Sequence, residues 1–194
     1  MAYINKDTYA ENKSNIKFSK EKYKEIKELF DFNKSELSFY KKAKGKIKAY
    51  LKGGDLQPAI VYSLFPLQIA AYSDEMDAVV LLKFPSSFIH KYKLEEGQRL
   101  VTSNVYWPKN ILSVAEDIFV GENYSGYYRD VIPIVALFLC DSKSEEEVKS
   151  LVNLFDETLW EKVSNKAREY VKINPNIYRN GFFYFLFNSK KEFK

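Results

Sequence analysis

Three carboxylates, Asp74, Glu75 and Asp77, fall within four residues of the stretch AAYSDEMDAVVLLKFP, residues 70–85. Carboxylates this close can coordinate a hard cation such as Mg²⁺ or Ca²⁺, or divide the roles of acid and base, if another strand end supplies a further ligand. Asp117, Asp130 and Asp141 are the available donors. Asp130 and Asp141 flank one predicted strand, so only one of them can share the end occupied by Asp74 and Asp77. The metal candidates are therefore Asp74, Asp77 and Asp130. The plainer reading is a hairpin tip, where Asp satisfies turn amides, tolerates unusual backbone angles and discourages association of strand edges.

A second possible chemistry is that of a thiol. Cys140 ends a predicted strand just before a predicted helix start, where a thiol can be activated, and His90 is the single imidazole available as its base. Unpaired cysteine is also among the most buried residue types, which favours a structural role. No G-x-x-x-x-G-K-[ST], G-x-G-x-x-G or G-x-S-x-G motif occurs, so nucleotide, dinucleotide and serine-hydrolase chemistry have no support in sequence. One His and one Cys cannot build a His- or Cys-rich metal centre. No cofactor is expected.

Two segments suggest binding instead. The loop GENYSGYYRD, residues 121–130, concentrates Tyr124, Tyr127, Tyr128 and Arg129, types enriched at the energetic centres of interfaces. The segment KKAKGKIKAYLKGG places Lys41, Lys42, Lys46 and Lys48 on one helical face, a composition suited to phosphate or to an acidic protein surface. Arginines that would grip phosphate bidentately are missing from it, which favours a solvated face.

These residues are positioned by the following predicted elements. Residues 1–18 read as a polar arm, ordered only if it docks. Ser19 is an N-cap for a helix carrying Tyr23, Ile26 and Phe30, and Asn33 or Ser35 caps a second helix stopped by Gly53 and Gly54. Residues 59–65, 66–73 and 77–84 read as strands, the last two as a hairpin whose nearly continuous apolar runs place it mid-sheet with both faces covered. A short helix over 86–93, a strand over 99–107, a helical turn or two over 111–117 and a strand over 130–140 follow. Pro133 gives the last an edge position or a bulge. The spacing then predicts one helix over 144–172, opened by a Ser144/Glu147 capping box, and a final strand over 181–187.

The chain of 194 residues suits a single domain, 1–194, with 1–18 as the arm and 19–53 as a basic helical pair. Residues 1–54 hold 14 lysines against 7 acidic residues, a charge of +7, which leaves −3 on the remainder of a chain whose net charge is +4. All but four of the cationic residues are lysine, so a general lysine bias dilutes the case for nucleic acid. No apolar leader follows Met1, and the runs 131–140 and 181–187 are too short to cross a bilayer as helices. A cytoplasmic location with no membrane partner is expected.

The combined expectation is an α+β fold, with a largely antiparallel, possibly mixed sheet of five to seven strands packed by the C-terminal helix and the N-terminal helical pair. The expected function is non-catalytic binding of another protein, as an immunity or antitoxin-type neutraliser or an accessory subunit. The alternatives are a carboxylate-metal or thiol hydrolase, and an RNA- or DNA-binding domain using the basic second helix.

Overall fold

In the computed structural model, residues 10–29, 34–108 and 113–182 are described, apart from the side chains of 27 and 34–42. Strands β1 (Asp55–Leu64), β2 (Leu67–Ser73), β3 (Ala78–Lys83), β4 (Arg99–Pro108), β5 (Tyr128–Val135) and β6 (Arg179–Asn180) form one sheet in the order β5-β4-β1-β2-β3-β6. Among the described residues, the β3–β6 pair is parallel and the other four are antiparallel. The fold class expected from sequence is thus borne out as a mixed six-stranded α+β architecture. Every residue of β2 is buried, because alternate side chains enter two separate cores. Leu67, Ile69 and Ala71 join Val61, Val80 and Leu82 on one face, while Ala70 and Tyr72 join Ile60, Val79 and Leu81 on the other. Each fully buried Leu or Ile contributes about 1.5–3 kcal/mol.

The sheet curls until its two ends are joined by a side chain. From β6, Arg179 donates to the Val131 carbonyl of β5 at 2.7 Å and to Asp130 at 3.1 Å, and it bonds both oxygens of Asp117 at 2.6 and 2.7 Å. Pro133, which lacks a ladder donor, sits accordingly on an edge strand. Burial opposes the charge on Arg179, but Asp117 and Asp130 outweigh it and raise the guanidinium's pKa.

Helix α1 (Lys20–Glu28) starts as predicted, with the Ser19 hydroxyl accepting from the Lys22 amide at 3.1 Å. Helix α2 (Lys34–Gly53) buries Ala43, Ile47, Tyr50 and Leu51. The proposed Asn33 cap lies outside the described residues. The arm over 10–18 is docked: Ser14 donates its amide to Gly54, Leu56 donates to Asn12, and Asp141 donates to Lys17. Helix α3 (Ser87–Tyr92) adds Phe88 and Tyr92 to a ring cluster with Phe84, Phe138 and Phe182.

The periodic stretch 144–172 resolves into two helices, α4 (Glu145–Ser150) and α5 (Glu157–Ile173), with a 3₁₀ turn at Leu151–Leu154 between them. Phe155 is extended, and Asp156 restarts the helix by accepting from the Leu159 amide at 2.8 Å. No side-chain cap bond forms at Ser144; Asp141 caps the preceding turn by accepting from Lys143. Trp160, Val163, Ala167 and Tyr170 of α5 cover the outer face of β1, β2 and β3. Residues 113–115 are irregular rather than helical, and the predicted strand over 181–187 lies mostly outside the described residues. Among the described residues, no helix is long and apolar enough to cross a membrane.

Candidate functional site

The turn between β2 and β3 is built by its own side chains. Asp74 accepts from the Glu75 amide at 2.8 Å, Ser73 accepts from the Met76 amide at 3.3 Å, and the Asp77 amide closes the turn onto the Asp74 carbonyl at 3.0 Å. Asp77 has φ of +46°, a left-handed conformation that Asp tolerates better than most residues. Its carboxylate is thereby turned inward and is almost wholly buried.

The loop of residues 118–127 is seated on this turn. Gly121 donates its amide to the Met76 carbonyl at 3.2 Å and Ser125 donates to Glu75 at 3.4 Å, while the amide and side chain of Asn123 both donate to Asp77 Oδ2 at 3.2 Å. A Cβ on Gly121 would collide with the Asp77 carbonyl and carboxylate, so only glycine allows the approach. The two segments singled out separately in sequence, the acidic turn and the Tyr-rich loop, therefore form one structure.

Helix α5 completes it. Lys162 and Lys166, one turn apart, reach Asp77 Oδ1 at 2.9 and 3.2 Å, and the Tyr72 hydroxyl donates to the same oxygen at 3.1 Å. Burial alone would raise the Asp77 pKa. Hydrogen bonds from Lys162, the Asn123 amide and Lys166 outweigh it and hold the carboxyl well below the usual range. Around this centre, Phe119, Val120 and Ile173 line a cavity of about 140 Å³ with Lys166 and Tyr170. Tyr170 packs edge-on against Phe119 at 5.4 Å and donates to the Asp117 carbonyl at 3.0 Å, and burial followed by the Asp117 charge pushes its phenol up to about 12.

The remaining candidates are distributed elsewhere. Asp130 and Asp117 belong to the Arg179 cluster rather than to Asp77, and Asp74 accepts from the Tyr106 hydroxyl at 2.8 Å. Among the described residues, no group of three His, Cys, Asp or Glu side chains is placed to hold a metal ion. Cys140 is fully buried, with Lys22 Nζ and the Leu137 carbonyl each 3.5 Å from its sulfur, and burial raises the thiol's pKa despite Lys22. His90 is exposed on α3. In the loop, Tyr127 is exposed, Tyr128 is buried, and Tyr124 and Arg129 are half-buried. Tyr124 bonds back to the Tyr128 carbonyl. Lys46 and Lys48 are exposed on α2, and the side chains of Lys41 and Lys42 lie outside the described residues.

Comparison with known proteins finds no matching family model, curated protein or solved structure. A larger cleft of about 390 Å³ lies where α5 crosses β1 and β4, lined by Arg99, Trp160, Glu161, Ser164 and Arg168. Arg99 is committed there: its guanidinium lies 5.0 Å from the centre of the Trp160 ring and pairs with Glu157. Sequence reasoning missed Lys162, Lys166, Phe119, Val120 and Arg179. Two signals were present, namely consecutive apolar residues inside a polar loop and a rare arginine in a lysine-rich chain. The pairing of Asp77 with lysines more than 80 residues away had no local signal.

Proposed function

We propose that this chain is a non-catalytic cytoplasmic protein-binding domain whose interface is the surface formed by the 118–127 loop and the end of α5. The observation that supports this reading is the exposure of Phe119 (44%), Val120 (40%), Tyr127 (57%) and Ile173 (72%) on a backbone pinned by the buried Asp77. Exposed large apolar side chains on a rigid support lose little conformational entropy on docking and are the usual anchors of an interface. The groups that could have done chemistry, by contrast, are engaged with one another. Asp77 is taken by two lysines, Asp117 and Asp130 by Arg179, and Cys140 by the core. An immunity or antitoxin-type neutraliser, or an accessory subunit, is the kind of role such a domain would serve.

The test is co-purification from the source cell using the wild type and the F119D/I173K variant, followed by reconstitution of any retained protein from purified components. The expected result is a stoichiometric partner held by the wild type and lost from a variant whose circular dichroism is unchanged. A partner retained equally by both, or no stable partner with either, would overturn the reading.

A further inference from the structure

The apolar surface of the loop is set among carboxylates, four of which make no ion pair among the described residues. The turn 74–77 and the segment 113–127 together carry six acidic residues and no Lys or Arg. Two of the six are ion-paired internally, Asp77 with Lys162 and Lys166, and Asp117 with Arg179, which Asp130 shares. Asp74, Glu75, Glu116 and Glu122 remain. Glu122 lies between Gly121 and Asn123, whose amides are bonded to Met76 and Asp77, so it stands beside the turn that carries Asp74 and Glu75. Glu116 and Glu122 are exposed, and Glu75 and Asp74 are partly so. After burial, it is the charges of Asp74 and Glu11 that raise the pKa of Glu75, as expected where like charges gather. Arg129 and Lys172 stand next in the chain to Tyr128 and Ile173, and Lys166, which lines the cavity with Phe119 and Val120, is paired with Asp77.

We infer that the surface of Phe119, Val120 and Tyr127 recognises a protein partner that presents Lys or Arg side chains around an apolar anchor. This rests on the protein-binding reading above and adds the charge of the partner to it. The physical argument is complementarity. An apolar anchor supplies the attraction, and uncompensated carboxylates around it accelerate encounter with a basic surface and penalise an acidic one. A partner that brings cations to Glu75 and Glu122 would also relieve the repulsion that Glu75 already experiences.

Two short amphipathic peptides, identical in their leucine face and carrying either lysine or glutamate on the other, are suitable probes in an amide NMR titration of the full chain. The lysine peptide is expected to shift Phe119, Val120, Glu122 and Tyr127, with affinity falling roughly tenfold or more between low and high salt. The same loss is expected in the E75Q/E122Q variant at low salt, while that variant's unfolding midpoint stays at the wild-type value. Equal binding of the glutamate peptide at these residues would overturn the charge assignment and leave the protein-binding surface standing. Shifts confined to other residues, or no binding of either peptide, would overturn the inference, whereas the binding reading itself stands or falls on co-purification. A sedimentation coefficient that rises with protein concentration in the absence of peptide, and no longer does so in the F119D/I173K variant, would assign the surface to a second copy of this chain and would overturn a separate partner.

Discussion

Asp55 and Asp77 are both aspartates buried beyond the reach of solvent, at 1% and 2% exposure, yet their environments push their carboxyls in opposite directions. Asp77 receives two ammonium groups, a backbone amide, a side-chain amide and a phenol, and its pKa is depressed. Among the described residues, the donors to the Asp55 carboxylate are neutral, the Asn12 amide at 3.0 Å and the Gln57 side chain at 2.5 Å. Burial dominates there, with Asp74 and Glu11 adding to it, and raises the pKa from 3.8 to about 6. The difference shows that burial alone does not decide the charge of a carboxylate; the charge of its donors does. It also separates two tasks. Asp77 anchors the loop and α5 as an anion, whereas Asp55 fixes the docked arm at the start of β1 by accepting from the Asn12 amide, while burial disfavours its charge.

The largest effect is expected from removing the anion that Lys162, Lys166 and Asn123 share. Asp77→Ala should cost about 3 kcal/mol at pH 7, the low end for a broken buried pair, because both lysines are partly exposed and can rehydrate. Urea unfolding measures the loss, and amide exchange should accelerate first across residues 118–127. Because the folded pKa is depressed, Asp77's contribution is present above the unfolded value near 3.8 and is lost as pH falls below it. The gap between wild type and variant should therefore close in acid. A gap independent of pH would mean that the lysines do not act through the charge of Asp77.

Asp55 should show the opposite sign. Its raised pKa penalises the folded state as pH climbs from about 4 to about 6, by about 3 kcal/mol in total at neutral pH. Asp55→Asn keeps an acceptor for the Asn12 amide and lets Gln57 turn its amide to suit. It is expected to stabilise the protein by roughly 2 kcal/mol at pH 7 and to have no effect near pH 4. A destabilised Asp55→Asn at pH 7 would place a cation on Asp55 and dissolve the contrast with Asp77.

A smaller and more local effect is expected at the contact between loop and turn. Gly121→Ala forces a methyl against the Asp77 carboxylate and should cost about 1–2 kcal/mol. Its amide resonances should change over the loop and the turn while those of the arm over 10–18 and of Asp55 stay in place. Changes at both ends would show that the two carboxylates are coupled rather than independent.

Much of the scaffold was legible in the sequence. The apolar runs of β2 and β3 announced strands covered on both faces, Ser19 announced a helix start, and Pro133 announced an edge or a bulge, of which the edge is found. The continuous period from 144 to 172 concealed a break, because Val152 and Phe155 keep the spacing of a helix while bridging a turn and packing on the core. Asp156, an ordinary N-cap type, was the one residue that marked the restart. For the candidate site, the turn and the loop were each visible as segments, but their union was not. It depends on amides of residues 121, 123 and 125 meeting carbonyl and carboxylate oxygens of residues 75–77, and backbone groups carry no sequence signature.

From the sequence by itself follow the class of fold, the strands of the central hairpin, the polar character of the turn and the uneven charge along the chain. Each of these is a local property, expressed in a period of two or 3.6 residues or in the choice of turn residues. Tertiary structure alone decided that Asp77 is an anion clasped by Lys162 and Lys166, that Asp55 is driven toward its neutral form, and that Arg179 joins the two ends of the sheet. Those outcomes depend on which donor stands within about 3 Å of which acceptor across large separations in sequence, and on the loss of water around them.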